Sequence, residues 1–311
     1  MIGCGYLGTV HAAAMASLGH EVIGIDTDAE RIDTLRRGEA PFFEPEVEGL
    51  LSAGIKSGLL SFDTRLSAAR EADVHFICVG TPQRLDEDAA DLSALHAVCE
   101  DLLPFLRPGA VVAGKSTVPV GTAEPLRQTI ATVGATLVWN PEFLREGHAV
   151  ADTLSPDRIV IGASTDAAGV AAVELLREVY TTAREAGTPV VVTDLATAEL
   201  VKGAANAFLA TRLSFMNAIA EVADATGADV SLLSEALGYD DRIGPKYLGA
   251  GIGFGGGCLP KDIRSFASRA RELGATSSAE LLEHVDAINL GQRTRTVETA
   301  ARMLGGTLTN R

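Results

Sequence analysis

Six residues near the amino terminus constrain the fold more than any others. Gly3-Cys4-Gly5-Tyr6-Leu7-Gly8 reads GxGxxG, runs into a helical stretch over residues 9–18, turns at Gly19 and continues as Glu21-Val22-Ile23-Gly24-Ile25 before ending on Asp26. A glycine turn, a helix, a strand and a carboxylate about 20 residues on form the combination that holds a dinucleotide. The pyrophosphate sits on amides of the helix start, where unpaired N–H groups and the helix dipole favour an anion. Asp26 is the candidate ligand of the ribose hydroxyls and disfavours a 2′-phosphate, so the pattern prefers NAD to NADP. GxGxxG alone is equally compatible with a tight turn that binds nothing; the order of the elements after it favours the cofactor.

Apolar runs at residues 74–79, 110–113, 136–138 and 159–161 alternate with helix-like stretches. That alternation predicts an α/β fold with a Rossmann-type doubly wound parallel sheet, whose ligands gather beyond the carboxyl ends of the strands. Three segments fall at such ends: Gly80-Thr81-Pro82, Lys115-Ser116-Thr117-Val118-Pro119 and Asn140-Pro141-Glu142-Phe143-Leu144-Arg145-Glu146-Gly147. Each alone reads as an ordinary turn; together they bring a hydroxyl and two carboxylates to one crevice. Only Met1 and Ile2 precede the first glycine, which predicts either a clipped start or an abnormally short central strand.

The second half is helical. Behind a capping Thr193-Asp194, Leu195, Leu200, Ala204, Phe208, Leu213, Ile219 and Val222 recur at helical spacing until Gly227, predicting one unusually long helix. Glu199, Lys202 and Asn206 share a stripe on it, which either faces one ligand or is simply solvated. Shorter helices are expected at residues 230–237, 261–273 and 279–289. The expected organisation is an NAD-binding domain over residues 1–192, an all-helical dimerisation domain with one long central helix over 193–290, and the start of a linker over 291–311. A long apolar helix with helical satellites commonly supplies a homodimer interface.

Within the helical half, Gly253-Phe254-Gly255-Gly256-Gly257-Cys258-Leu259-Pro260-Lys261-Asp262 puts one cysteine on a glycine-rich turn. Pro260 suits the first turn of a helix whose positive end favours a thiolate, and Asp262 comes round to the same side four residues on. The bland alternative is an inert thiol at a loop tip. Cys4, Cys78, Cys99 and Cys258 form no CxxC pair and read as thiols in a reducing compartment, and no metal site is expected. A net charge of -15 argues against nucleic-acid or anionic-membrane partners, and no uncharged run reaches the roughly 18 residues of a membrane helix. With no basic leader at its start, the chain is expected to be soluble and cytoplasmic.

Taken together, these motifs resemble the UDP-glucose/GDP-mannose dehydrogenase family, and within it the UDP-glucose 6-dehydrogenase branch. The resemblance spans essentially the whole chain: the glycine turn, Glu44-Pro45, Lys115 to Gly121, Pro141 to Gly147, Glu199-Leu200-Val201-Lys202 with Asn206, Arg242-Ile243-Gly244 and the cysteine loop. It implies a four-electron oxidation of a UDP-sugar at C6, with two NAD reduced. Cys258 is then the nucleophile that forms a thiohemiacetal and a thioester, Lys202 and Asn206 stabilise the oxyanion, Asp262 and Thr117 position water, and Glu146 is the base for hydrolysis with Glu142 in support. For the cofactor it implies Gly3, Gly5, Tyr6, Leu7, Gly8, Asp26, Arg31, Thr81, Thr117 and Glu146. For the sugar nucleotide it implies Glu142, Phe143, Leu144, Lys202, Asn206, Tyr247, Gly255 and Cys258, with Arg242 reaching across from a partner subunit.

Family members continue past the position of Arg311 into a further nucleotide-binding domain, so the resemblance predicts a truncated chain. Alternatives in the same chemistry are a GDP-mannose or UDP-N-acetylhexosamine dehydrogenase. Outside it stand the β-hydroxyacid dehydrogenases, which lack a thiol nucleophile, and an inactive NAD-binding dimeric fragment.

Overall fold

The computed structural model of the chain describes residues 1–306, which form two compact units. Met1–Pro82 and Asp91–Lys202 make the first; Gln83–Ala90 and the chain from Gly203 make the second. The boundary lies inside a helix, ten residues beyond the expected division, where the apolar periodicity gives no break to read.

The first unit alternates strand and helix. Its elements are α1 (Tyr6–Ser17), β1 (Val22–Ile25), α2 (Ala29–Arg36), α3 (Val47–Ser57), β2 (Leu60–Asp63), β3 (Val74–Ile77), α4 (Ser93–Leu102), β4 (Val111–Gly114), α5 (Ala123–Ala131), β5 (Thr136–Trp139), α6 (Ala149–Leu154), β6 (Ile159–Gly162), α7 (Ala167–Val179), α8 (Thr181–Glu185) and β7 (Val190–Thr193). β1 pairs with β2, and β3 to β7 pair in sequence order. Ile2 joins the two sets through parallel bridges to Ile25 and Ile77. Its amide donates to the Phe76 carbonyl at 2.8 Å and its carbonyl accepts from Cys78 at 2.7 Å, so one residue stands in the central strand position. Every pairing is parallel except β5 with β6, which meet antiparallel only at Trp139 and Gly162.

Alternate residues of each central strand enter opposite cores. Val111, Ala113, Val138, Ile159 and Ile161 pack with α1, α3 and α7 on one face. Val112, Leu137, Trp139 and Val160 pack with α4 and α5 on the other. A sheet covered on both faces needs strands that are apolar at every position, which is why these runs read so clearly.

α9 (Leu195–Thr226) begins in the first unit and continues into the second, which adds α10 (Val230–Gly238), α11 (Leu259–Glu272) and α12 (Thr276–Met303). Ala207, Ala210, Phe254, Ile263, Ala267, Leu282 and Val285 form a separate small core among α9, α11 and α12. α12 runs through residues 291–303, where a linker is expected; residues 307–311 of that linker lie outside the described residues.

Candidate active site

The glycines of the first turn are not equivalent. At Gly8 an added Cβ would lie 1.8 Å from the Gly3 carbonyl oxygen, and at Gly3, with φ +90°, it would lie 2.9 Å from the backbone of Cys78. The fold itself therefore forbids a side chain at both. At Gly5 the same Cβ meets nothing within 4 Å, yet Gly5 is the N-cap of α1 and gives it no side-chain cap. The first amides of α1 are thus approachable from outside, as a pyrophosphate requires. The Tyr6 hydroxyl donates to Glu44, and Leu7 packs against the core.

Asp26, beyond the end of β1, is fixed in place. Its Oδ2 accepts from the Cys4 amide at 2.8 Å and from Arg31 Nη1 at 2.9 Å, and its Oδ1 accepts from the Asp28 amide at 3.0 Å. Arg31, in the first turn of α2, accordingly sits beside the carboxylate expected to hold the ribose. An approachable, uncapped helix start with a fixed carboxylate one strand away fits NAD.

The strand-end segments are tied to one another. Thr81 Oγ1 donates to the Thr117 carbonyl at 2.7 Å, and Ser116 Oγ donates to Val79 O at 2.6 Å. The buried Glu199 of α9 accepts from the amides of Gly121 at 2.8 Å and Ala123 at 2.6 Å, fastening the loop that leads into α5. Of the three residues expected to share a stripe, Glu199 is held by these backbone amides, Lys202 is the last residue of the first unit and Asn206 belongs to the second. Glu142 accepts from its neighbouring Phe143 amide at 2.8 Å and is ion-paired with Lys115 Nζ at 3.1 Å. The Phe143 ring lies 3.8 Å from the Arg158 guanidinium and 5.5 Å from Lys202 Nζ, Leu144 packs into the core, and Glu146 is exposed.

The chain just after Glu146 is held by Glu44. This buried carboxylate accepts from Tyr6 and from the amides of Gly147 and Ala149, both at 2.8 Å. Burial opposes its ionisation, but these donors outweigh it and keep Glu44 below the usual carboxylate range.

In the second unit Cys258 is the exposed N-cap of α11, with Pro260 in the first turn as expected. The Asp262 amide donates to the Cys258 carbonyl at 2.9 Å. Asp262 is buried; its Oδ2 accepts from Asn206 Nδ2 at 2.7 Å and its Oδ1 from Lys261 Nζ at 2.5 Å. The glycine loop is anchored by two asparagines that sequence reasoning missed. Asn217 accepts from the Gly251 amide at 2.8 Å, while buried Asn289 accepts from the Phe254 amide at 2.7 Å and donates to its carbonyl at 3.0 Å. A Cβ at Gly253 would stand 2.4 Å from Asn289 Oδ1, so this close approach needs glycine. Tyr247 adopts a left-handed φ of 60°, Gly255 is exposed, and Arg242 is exposed in a pair with Asp240 at 2.7 Å.

The remaining cysteines are buried thiols, and burial pushes them up, Cys4 and Cys99 to about 12 and Cys78 to about 11. They are inert as nucleophiles at neutral pH. Among the described residues no group of His, Cys, Asp and Glu is arranged to hold a metal ion, and no helix is long and apolar enough to cross a membrane.

Residues 1–184 match the NAD binding domain of the UDP-glucose/GDP-mannose dehydrogenase family, and residues 196–290 match the family's central domain. The UDP-glucose 6-dehydrogenase of Rhizobium meliloti (strain 1021) is 41% identical over 294 residues, covering 93% of this chain and 66% of the relative. The structure of a UDP-glucose dehydrogenase from Pyrobaculum islandicum superposes with a TM-score of 0.90 at 38% identity, over 98% of this chain and 70% of that one. A UDP-D-ManNAc dehydrogenase from Pyrococcus horikoshii superposes with a TM-score of 0.81 at 28% identity, over 96% and 71%. The chain thus spans about two thirds of the length of these relatives, and it belongs to the UDP-glucose/GDP-mannose dehydrogenase family.

Proposed function

We propose that the protein oxidises the C6 alcohol of a UDP-sugar, UDP-glucose, to the carboxylate through a covalent adduct on Cys258. The observation that carries this is Cys258 at the head of α11, directly before the buried Asp262 with its partners Asn206 and Lys261, in a chain whose residues 1–184 match the family's NAD binding domain.

When bound, NAD accepts the hydride of each of the two oxidations. The amides at the start of α1 carry its pyrophosphate, and Asp26 holds a ribose beside Arg31. Cys258 Sγ adds to the C6 aldehyde of the first oxidation and holds that carbon as a thiohemiacetal and, after the second oxidation, as a thioester. A thiolate forms such an adduct at neutral pH more readily than a hydroxyl. Lys202 takes up negative charge on the C6 oxygen, with Asn206 donating to it. Glu146 accepts the proton of the water that splits the C–S bond, Thr117 and Asp262 hold that water, and the thiol returns as the carboxylate leaves. Glu142, Phe143, Leu144, Tyr247 and Gly255 bound the sugar nucleotide. The reading includes a cytoplasmic homodimer in which Arg242 of one subunit completes the other's site.

The test is the NADH formed per sugar nucleotide consumed, with UDP-glucose, UDP-N-acetylmannosamine and GDP-mannose run separately. Two NADH per UDP-glucose are expected, with completion abolished by Cys258→Ala. One NADH per sugar, or none with any of the three despite NAD binding, overturns the reading. Two NADH with UDP-N-acetylmannosamine only would favour the second reading, which the structural likeness to such an enzyme supports.

A further inference from the structure

Around Glu142 lies a polar pocket, most of whose members the proposed chemistry leaves unused. His11, Lys115, Asn140, Glu142, Arg158 and Tyr180 are among the residues that line a cavity of about 20 Å³, room for one water molecule. Lys115 is 3% exposed. Its Nζ donates to Asn140 Oδ1 at 3.1 Å and to the Tyr180 hydroxyl at 3.2 Å, and it is ion-paired with Glu142 Oε2 at 3.1 Å. The acceptors are fixed in turn. Tyr180 donates to Asn140 Oδ1 at 2.7 Å, Asn140 Nδ2 donates to Val160 O at 2.8 Å, and the other oxygen of Glu142 accepts the Phe143 amide.

Stability does not account for this arrangement. Taking an ammonium out of water is costly, and a buried ion pair is commonly matched or bettered by apolar side chains of the same volume. What the pair supplies is a carboxylate that cannot turn. Lys115 and Asn140 are the first residues beyond the paired ends of β4 and β5, and the loops they open carry Thr117 and Glu142. Burial works against the charge on Lys115, but Glu142 and then Tyr180 and Cys78 outweigh it and hold the ammonium above its ordinary value. His11 beside it is neutral: burial, and then Lys115 itself, push it well down, and neither of its ring nitrogens has a partner in the structure.

We propose that Lys115 is a positioning residue that acts through Glu142, clamping the Glu142–Glu146 segment in the geometry the oxidation uses. The proposal rests on the reading of Glu142 as part of the sugar-nucleotide pocket.

The experiment compares Lys115→Met, Glu142→Gln and the double variant in the full-length protein, reading kcat and KM for NAD and UDP-glucose, NAD affinity and thermal midpoint. Lys115→Met is expected to lower kcat tenfold or more with NAD affinity within twofold of wild type. The double variant is expected to be no slower than Glu142→Gln alone. Effects that multiply in the double variant, or a Lys115→Met protein that loses thermal midpoint while keeping kcat within twofold, would overturn it. Should Lys115→Met fold poorly, the comparison of the double variant with Glu142→Gln decides, since removing both partners leaves no buried charge unpaired. Wild-type protein that binds NAD but turns over no sugar nucleotide rejects the functional reading and the proposal together; wild-type turnover with multiplying effects rejects the proposal alone.

Discussion

At Gly5 and Gly8 the same motif asks for glycine for opposite reasons, and the two can be separated. Gly8→Ala drives a methyl to 1.8 Å from the Gly3 carbonyl, which helix and sheet cannot both yield to. It should cost about 3 kcal/mol or more and give little folded protein. Gly5 has an ordinary φ of -68° and open space at its Cβ. Gly5→Ala should therefore cost the fold at most about 1 kcal/mol, the loss of a glycine N-cap, while placing a methyl where the pyrophosphate must approach. Calorimetry should show a nearly unchanged midpoint and an NAD dissociation constant raised about tenfold or more, about 1.4 kcal/mol. An unchanged affinity would mean the phosphates do not sit at this turn. The motif alone announces three glycines without distinguishing them, because the distinction depends on Gly3 and Cys78, which the chain brings to the turn only on folding.

Between elements, the first unit relies on carboxylates that cap other elements' backbone. Glu199 ties α9 to the loop before α5, and Glu44 ties α1 to the start of α6. Because Glu44 is depressed in the fold, its contribution is fully present above the ordinary carboxylate value near 4.5 and is lost as pH falls through the lower folded value. Glu44→Gln should lose about 1 to 3 kcal/mol at pH 7, and the gap from wild type should narrow in urea titrations as pH falls below the ordinary value near 4.5 and through the lower folded value. A gap constant with pH would show that the loss is one of shape and not of charge. Sequence reading is strongest at this scale where burial is two-sided: the runs that became β3 to β6 announce themselves, as does α9. β2, as Leu-Ser-Phe-Asp, and β7, with Val191 and Val192 half exposed at the sheet edge, carry no such signal. Lys115, Asn140 and Tyr180 escape it too, since their partnership spans 25 to 65 residues and no local pattern encodes it.

At the scale of the whole molecule, α9 leaves an apolar stripe uncovered. Phe208, Phe215 and Val222 are 62%, 52% and 58% exposed and recur every seven residues, so they share one line along the helix. In the proposed reading a second copy covers that line. The chain should then sediment as a dimer, and Phe208→Asp with Phe215→Asp should give a monomer whose midpoint lies below that of the wild-type dimer and does not rise with protein concentration. A wild-type monomer at micromolar concentration would remove the dimer from the reading. Whether dimerisation also completes the site follows from complementation. Arg242→Ala subunits keep Cys258 and Cys258→Ala subunits keep Arg242, so each homodimer lacks one function. If Arg242 acts across the interface, a mixed dimer has one intact site, and equal co-expression should restore about one quarter of wild-type turnover by random pairing. If Arg242 serves its own subunit, the mixed dimer has no intact site and activity stays at the level of the homodimers. The assay needs no assumption about distances, because it counts which chain supplies which residue.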